Sequence, residues 1–217
     1  MYKTVVFDLD GTLLNTLTDL ADAGNRLCRK YGWPTHERQA YCYFVGNGIP
    51  KLVERLAPAD QRTPAVLEAA LADFKRDYGQ HLRDTTAPYP GIPEMLAKLK
   101  ANGVQLAVFS NKADALAKEV VKDYFGTQYF TIVRGQMTGV APKPAAEGTN
   151  ALLQALHADP ASTLYVGDSN VDVETAHNAN LPCCGAVWGF RTREELNAAG
   201  AEYLAENSDE LYDVIMK

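Results

Sequence analysis

The sequence predicts an α/β fold: a parallel sheet with helices on both faces, into which an all-helical segment is inserted. Three observations predict it. Short apolar runs recur along the chain, continuous rather than alternating, as in strands covered on both faces. Segments with helical spacing separate them, the rhythm of βαβ units. Between about residues 15 and 86 that rhythm stops and no strand-like run occurs.

Each element has its own local reason. TVVFDL (4–9) reads as the first strand. In the insert, Leu17, Leu20, Gly24, Leu27 and Tyr31 keep helical spacing. Thr63 and Pro64 suit the N-cap and first position of a second helix. Its apolar face is Val66, Leu67, Ala70, Leu71, Phe74 and Tyr78. Past YPGIPEM (89–95), Ile92, Met95, Leu96 and Leu99 share a helical face, and Gly103 marks its stop. VQLAVFS (104–110) is the next strand, followed by a helix through Leu116, Val120, Val121 and Tyr124. YFTIVRG (129–135) is a third strand. Pro144 is expected to open the helix of Leu152, Leu153 and Leu156. TLYVGD (163–168) and PCCGAVWG (182–189) complete the predicted sheet, and Thr192 with Glu195 forms a capping box ahead of Leu196. Residues 1–14 and 87–217 are thus the expected core, and 15–86 the insert.

Composition narrows the function classes. The chain has 217 residues, 47% of them hydrophobic, enough for a sizeable core. A net charge of −6 without any basic block argues against a nucleic-acid partner. No run is long enough to span a bilayer, and the N-terminus enters a strand without a signal peptide, so a cytoplasmic location is expected. Cys28, Cys42, Cys183 and Cys184 form no CxxC pair and read as buried free thiols. His36, His81, His157 and His177 are scattered and read as ordinary helix or surface residues.

In a Rossmann-like open sheet, ligands bind outside the carboxyl ends of the strands. There the first strand ends on Asp8 and Asp10, the second on Ser110, Asn111 and Lys112, and the fourth on Asp168 and Ser169. Alternation places Asp8 and Asp10 on one side. Asp8, Asp10, Asp168 and Asp172 are expected to converge. Two carboxylates about 4 Å apart repel by on the order of 4 kcal/mol at an effective dielectric of 20. Such a cluster calls for a cation or bound protons; among cations, oxygen-only ligands favour Mg²⁺, whose usual companion is a phosphate substrate. Lys143, between Pro142 and Pro144, has a restricted backbone and a defined reach. Ser110, Lys143 and the N–H groups after Asp8 are candidates for the phosphate oxygens, with Gly11 permitting the turn. Asp172 reads equally as a metal residue or as an acid favoured at a helix start. Lys112 reads as a surface lysine.

DLDGT (8–12), VFSN (108–111), Lys143 in PKP and GDSNVD (167–172) occur in that order. Together they resemble the four motifs of the haloacid dehalogenase-like hydrolase superfamily, over essentially the whole chain. The resemblance implies Asp8 as nucleophile, Asp10 as general acid and then base, and Ser110 and Lys143 on the phosphoryl group, with Thr12 and Asn111 beside them. It implies Mg²⁺ on the Asp8 carboxylate, the Asp10 carbonyl and Asp168, with Asp172 orienting metal-bound water. Within the superfamily, the insert and the segments YFVGNGIPKLVERL (43–56) and AVWGFRTREELNAAGAEYLAENSDEL (186–211) look most like the phosphoglycolate phosphatase group, where the insert is a cap domain. Ala146 and Asn15 depart from that group's common proline and aspartate. The expected substrate is a small phosphomonoester, most simply 2-phosphoglycolate, for a monomer or homodimer. Gly46, Asn47 and Gly48 form a loop between helices. Lys51 and Arg55 beside it either meet a substrate carboxylate or are solvated. The alternatives are another phosphomonoesterase or a phosphosugar mutase of the superfamily, a dehalogenase, against which Asp10 argues, and a non-catalytic phospho-ligand binder.

Overall fold

The computed structural model describes the whole chain, Met1–Lys217. In order, its elements are β1 (Thr4–Phe7), β2 (Leu14–Asn15), α1 (Leu17–Tyr31), α2 (Arg38–Phe44), α3 (Ile49–Leu56), α4 (Pro64–Gln80) and β3 (Ala87–Pro88). There follow α5 (Ile92–Ala101), β4 (Gln105–Ala113), α6 (Asp114–Phe125), β5 (Phe130–Gln136), α7 (Ala146–Leu156) and β6 (Thr163–Gly167). The chain ends with α8 (Asn170–Asn178), β7 (Cys183–Ala186), α9 (Arg193–Ala199), β8 (Tyr203–Ala205) and α10 (Ser208–Met216). Two compact units result: Met1–Leu14 with Pro88–Lys217, and Asn15–Ala87.

The first unit is a six-stranded parallel sheet in the order β5-β4-β1-β6-β7-β8. The chain runs outward through β4 and β5, then returns to the other side of β1 for β6. The carboxyl ends of β1, β4 and β6 therefore lie side by side where the strand order reverses, the usual place for a ligand crevice. Both faces are covered, which explains the unbroken apolar runs. Val6, Ala107, Phe109, Tyr165 and Cys183 share a core with Leu152 of α7, Val173 of α8 and Leu196 of α9. Phe7 points the other way and meets Phe130 edge-on, as does Phe125 of α6.

Three expectations change in this unit. β1 ends at Phe7, two residues short of the expected end. Pro144 does not open a helix: the Lys143–Pro144 peptide is cis and α7 begins at Ala146. β8 has only three residues, with Tyr203 exposed, too short for an apolar run to reveal it. The Thr192–Glu195 capping box forms as expected.

The second unit is helical. The Thr63 hydroxyl accepts from the Val66 N–H with Pro64 at the first helical position, as its sequence dictates. Asn15 Oδ1 accepts from Leu17 N–H at the start of α1. A Cβ on Gly24 would stand 2.5 Å from the Tyr41 ring, so only glycine allows α2 this close to α1. Asp19, buried in the first turn of α1, accepts four hydrogen bonds, from N–H and hydroxyl of both Thr85 and Thr86, at 2.5–2.9 Å. It ties the unit's beginning to its end. The loop Gly46–Gly48 joins α2 to α3, and Arg55 braces it by donating to the Phe44 carbonyl and Asn47 Oδ1, while Lys51 pairs with Glu54. All four cysteines are free and buried, and no helix is long and apolar enough to cross a membrane.

Candidate active site

The crevice begins where β1 stops. The Asp8 N–H still donates to the Val166 carbonyl, extending the ladder by one bond. Then the chain turns: the Leu9 carbonyl accepts from Thr12, Leu13 and Leu14, and Gly11 sits at φ +90°. A Cβ on Gly11 would lie 2.3 Å from Asp168 Oδ2, so both conformation and space require glycine. The turn cancels strand alternation beyond Asp8. The Asp10 carboxylate lies outside the acidic cluster and pairs with Lys112 Nζ at 3.1 and 3.4 Å.

This corrects two expectations. The carboxylates that converge are Asp8, Asp168 and Asp172, with oxygen atoms within 4.8 Å of one another, without that of Asp10. Lys112 is no surface lysine: it is buried at the carboxyl end of β4 as the counter-ion of Asp10.

Lys143 is the hub of the cluster. Its ammonium lies 2.8 Å from Asp8 Oδ1 and 2.7 Å from Asp172 Oδ1, and it donates to the Tyr165 hydroxyl and the Phe109 carbonyl. Asn111 holds the main chain at this point, its Oδ1 accepting from the Lys143 N–H and its Nδ2 donating to the Lys143 carbonyl. The second oxygen of Asp172 accepts from the Ser169 N–H and hydroxyl, so Asp172 serves as the helix-start acid of α8 and as a partner of Lys143. A Cβ on Gly167 would collide with Asp172 at 2.2 Å, which is why the motif reads Gly-Asp.

Asp168 is gripped differently. Its Oδ1 accepts from the Thr12 hydroxyl at 3.0 Å and its Oδ2 from the Phe190 N–H at 2.8 Å. The expected phosphate residues Thr12 and Asn111 thus spend their side chains on Asp168 and Lys143. Ser110 is buried beside them, its Oγ accepting from the Lys112 N–H. Tyr165, Lys112 and the Trp188–Phe190 loop were not legible as site residues; a tyrosine inside an apolar run and a Trp-Gly pair after one were the only traces.

Asp8 and Asp172 share Lys143, Asp168 lies beside them, and the proton affinities of Asp8 and Asp168 are raised. Burial, with Asp172 nearby and Lys143 only partly opposing, pushes Asp8 up to about 7. Burial and the charges of Asp172 and Asp8 hold Asp168 well above the carboxylate range. Burial pulls Lys143 down, but Asp172 and Asp8 outweigh it and keep it firmly charged. The donor set is all carboxylate oxygen, and with all three acids ionised it would exceed the single charge of Lys143 by two. It therefore fits a hard divalent cation such as Mg²⁺, and not a metal that wants histidine or thiolate.

A family model described as haloacid dehalogenase-like hydrolase matches residues 5–186. A phosphoglycolate phosphatase of Chromobacterium violaceum is 31% identical over 216 residues, 98% of this chain and 96% of that protein. One of Thiobacillus denitrificans is 31% identical over 87% of this chain and 84% of its own length. A solved structure from Lactobacillus delbrueckii subsp. bulgaricus superposes with a TM-score of 0.93 at 28% identity, covering 99% of this chain and 98% of its own.

Proposed function

Since the chain belongs to the haloacid dehalogenase-like hydrolase family, we propose that it is a Mg²⁺-dependent phosphomonoesterase and that its substrate is 2-phosphoglycolate. One observation carries the reaction class: a buried strand-end carboxylate, Asp8, held against the lysine of a three-carboxylate cluster. The substrate is supported by the names of relatives about one-third identical over most of the chain.

Asp8 and Asp168, with the Asp10 main-chain carbonyl, would hold Mg²⁺, and Asp172, tied to Lys143 and Ser169, would orient a water beside it. Such an ion would supply positive charge to offset the carboxylates and the substrate's phosphate. The Asp8 carboxylate attacks phosphorus and the bond to the ester oxygen breaks. Asp10 gives the departing oxygen its proton, so glycolate leaves and a phosphoryl group remains on Asp8. Asp10 then takes a proton from water, whose oxygen bonds to phosphorus as the Asp8–phosphorus bond breaks. Phosphate leaves, and both acids are restored. Lys143 and Ser110 hold the phosphoryl oxygens, and Lys143 offsets charge that grows on them. Asn111 and Thr12 act one step back, fixing Lys143 and Asp168. Lys112 fixes the Asp10 carboxylate.

The test is phosphate release across a panel of small phosphomonoesters, with Mg²⁺ and after chelation. A marked preference for phosphoglycolate that chelation abolishes is expected. A flat profile would reduce the reading to a general phosphatase, and no turnover would favour a phospho-ligand binder.

A further inference from the structure

Between the end of β7 and the start of α9 lies a short loop, Trp188–Gly189–Phe190, that none of the chemical steps uses. Between them its residues nevertheless touch the two polypeptide segments that make up the carboxylate cluster. The Trp188 indole N–H donates to the Thr12 carbonyl at 3.0 Å. The Gly189 main chain lies so close that a Cβ there would stand 2.2 Å from Asp168 Cβ and 2.6 Å from the Gly11 carbonyl oxygen. The Phe190 N–H donates to Asp168 Oδ2, whose other oxygen takes the Thr12 hydroxyl. The loop thus closes a ring: Trp188 to Thr12, Thr12 to Asp168, Asp168 to Phe190. That ring sets the spacing between the Asp8 turn and Asp168, segments about 160 residues apart in sequence.

We propose that this loop is the magnesium-positioning element of the protein, with Trp188 as a positioning residue that acts through Thr12 and Asp168 without touching metal or substrate. The physical reason is orientation. A carboxylate held by hydrogen bonds on both oxygens presents one defined lone-pair direction to a cation. Mg²⁺ tolerates little departure from near-ideal geometry, so a loose Asp168 weakens it more than it would weaken a larger, adaptable ion such as Ca²⁺. The inference rests on Asp168 as a magnesium residue but not on the identity of the substrate.

The experiment is a calorimetric titration of Mg²⁺ into metal-free protein, without substrate. Trp188→Phe keeps an aromatic side chain and removes the indole N–H that closes the ring. It is expected to weaken Mg²⁺ binding about tenfold, the low end for outer-shell partners, and to weaken Ca²⁺ binding less. The metal-free melting temperature should stay close to that of the wild type, which separates positioning from a general loss of packing. Gly189→Ala, whose Cβ meets Asp168, should cost more Mg²⁺ affinity than Trp188→Phe, and it serves as the readout if Trp188→Phe does not fold. Wild-type affinity in both variants would overturn the inference. A wild-type protein that binds no Mg²⁺ would overturn it together with the magnesium reading.

Discussion

The molecule buries aspartate in two places and treats it in opposite ways. In the helical unit, Asp19 stands alone and meets four neutral donors, from Thr85 and Thr86, so every oxygen is satisfied without a counter-charge. At the carboxyl edge of the sheet, Asp8, Asp168 and Asp172 crowd within 4.8 Å of one another around one lysine. The first arrangement is complete as it stands and holds a fold together. The second is stable only in part, and the incompleteness is what a cation and a phosphate can answer. Burial alone therefore does not mark a functional acid. An excess of like charge that the fold itself leaves uncompensated does.

The contrast can be broken from either side. The largest effect is expected for Asp8→Asn, which keeps shape and removes the nucleophile: turnover should fall about 10⁴-fold or more with the circular dichroism spectrum unchanged. Substantial residual turnover would remove Asp8 from its role. Lys143→Ala should lower kcat by about 10²–10³-fold. It also leaves Asp8 and Asp172 buried without their partner, so denaturant unfolding should show a loss of roughly 3–5 kcal/mol, eased by Mg²⁺. On the other side, Asp19→Ala strands four donors and should cost about 3 kcal/mol in the same assay, while Mg²⁺ affinity measured by calorimetry stays that of the wild type. A change in Mg²⁺ affinity there would erase the distinction between the two regions.

The smallest effect is a pH dependence confined to the sheet edge. Asp8 moves from an ordinary value of 3.8 to about 7 on folding, chiefly by burial. A raised folded-state value means that the folded protein keeps a proton the unfolded chain has released. The associated stability is full below about pH 4 and is lost as pH rises through about 7. Asp168 contributes with the same sign. Metal-free protein should therefore melt a few degrees lower at pH 8 than at pH 5.5. Mg²⁺ should raise the melting temperature more at pH 8, where it competes with fewer protons. Equal shifts at both values would mean that the cluster does not bind the ion.

Much of this was written in local sequence. The Asp-Leu-Asp-Gly-Thr turn, the Gly-Asp-Ser segment and the lysine between two prolines are short patterns whose chemistry depends on neighbours a few residues away. The parallel sheet and the helical insert follow from continuous apolar runs and 3.6-residue spacing, and Thr63 and Thr192 cap the helices they precede because a cap needs only the next turn. Other features depend on distance. Asp10 turns to Lys112 because Gly11 ends the strand alternation and β4 lies next to β1, a pairing that spans 102 positions. Thr12 reaches Asp168 across 156 positions, and Trp188 reaches Thr12 across 176. Asp19 lies in a first helical turn, and only the chain's return brings Thr85 and Thr86 against it. The sequence alone determined which groups are present and which strand ends carry them, since backbone geometry and apolar periodicity are local. Only the tertiary structure decided which acid pairs with which lysine, because ion pairing and carboxylate orientation are settled by segments that meet across the sheet.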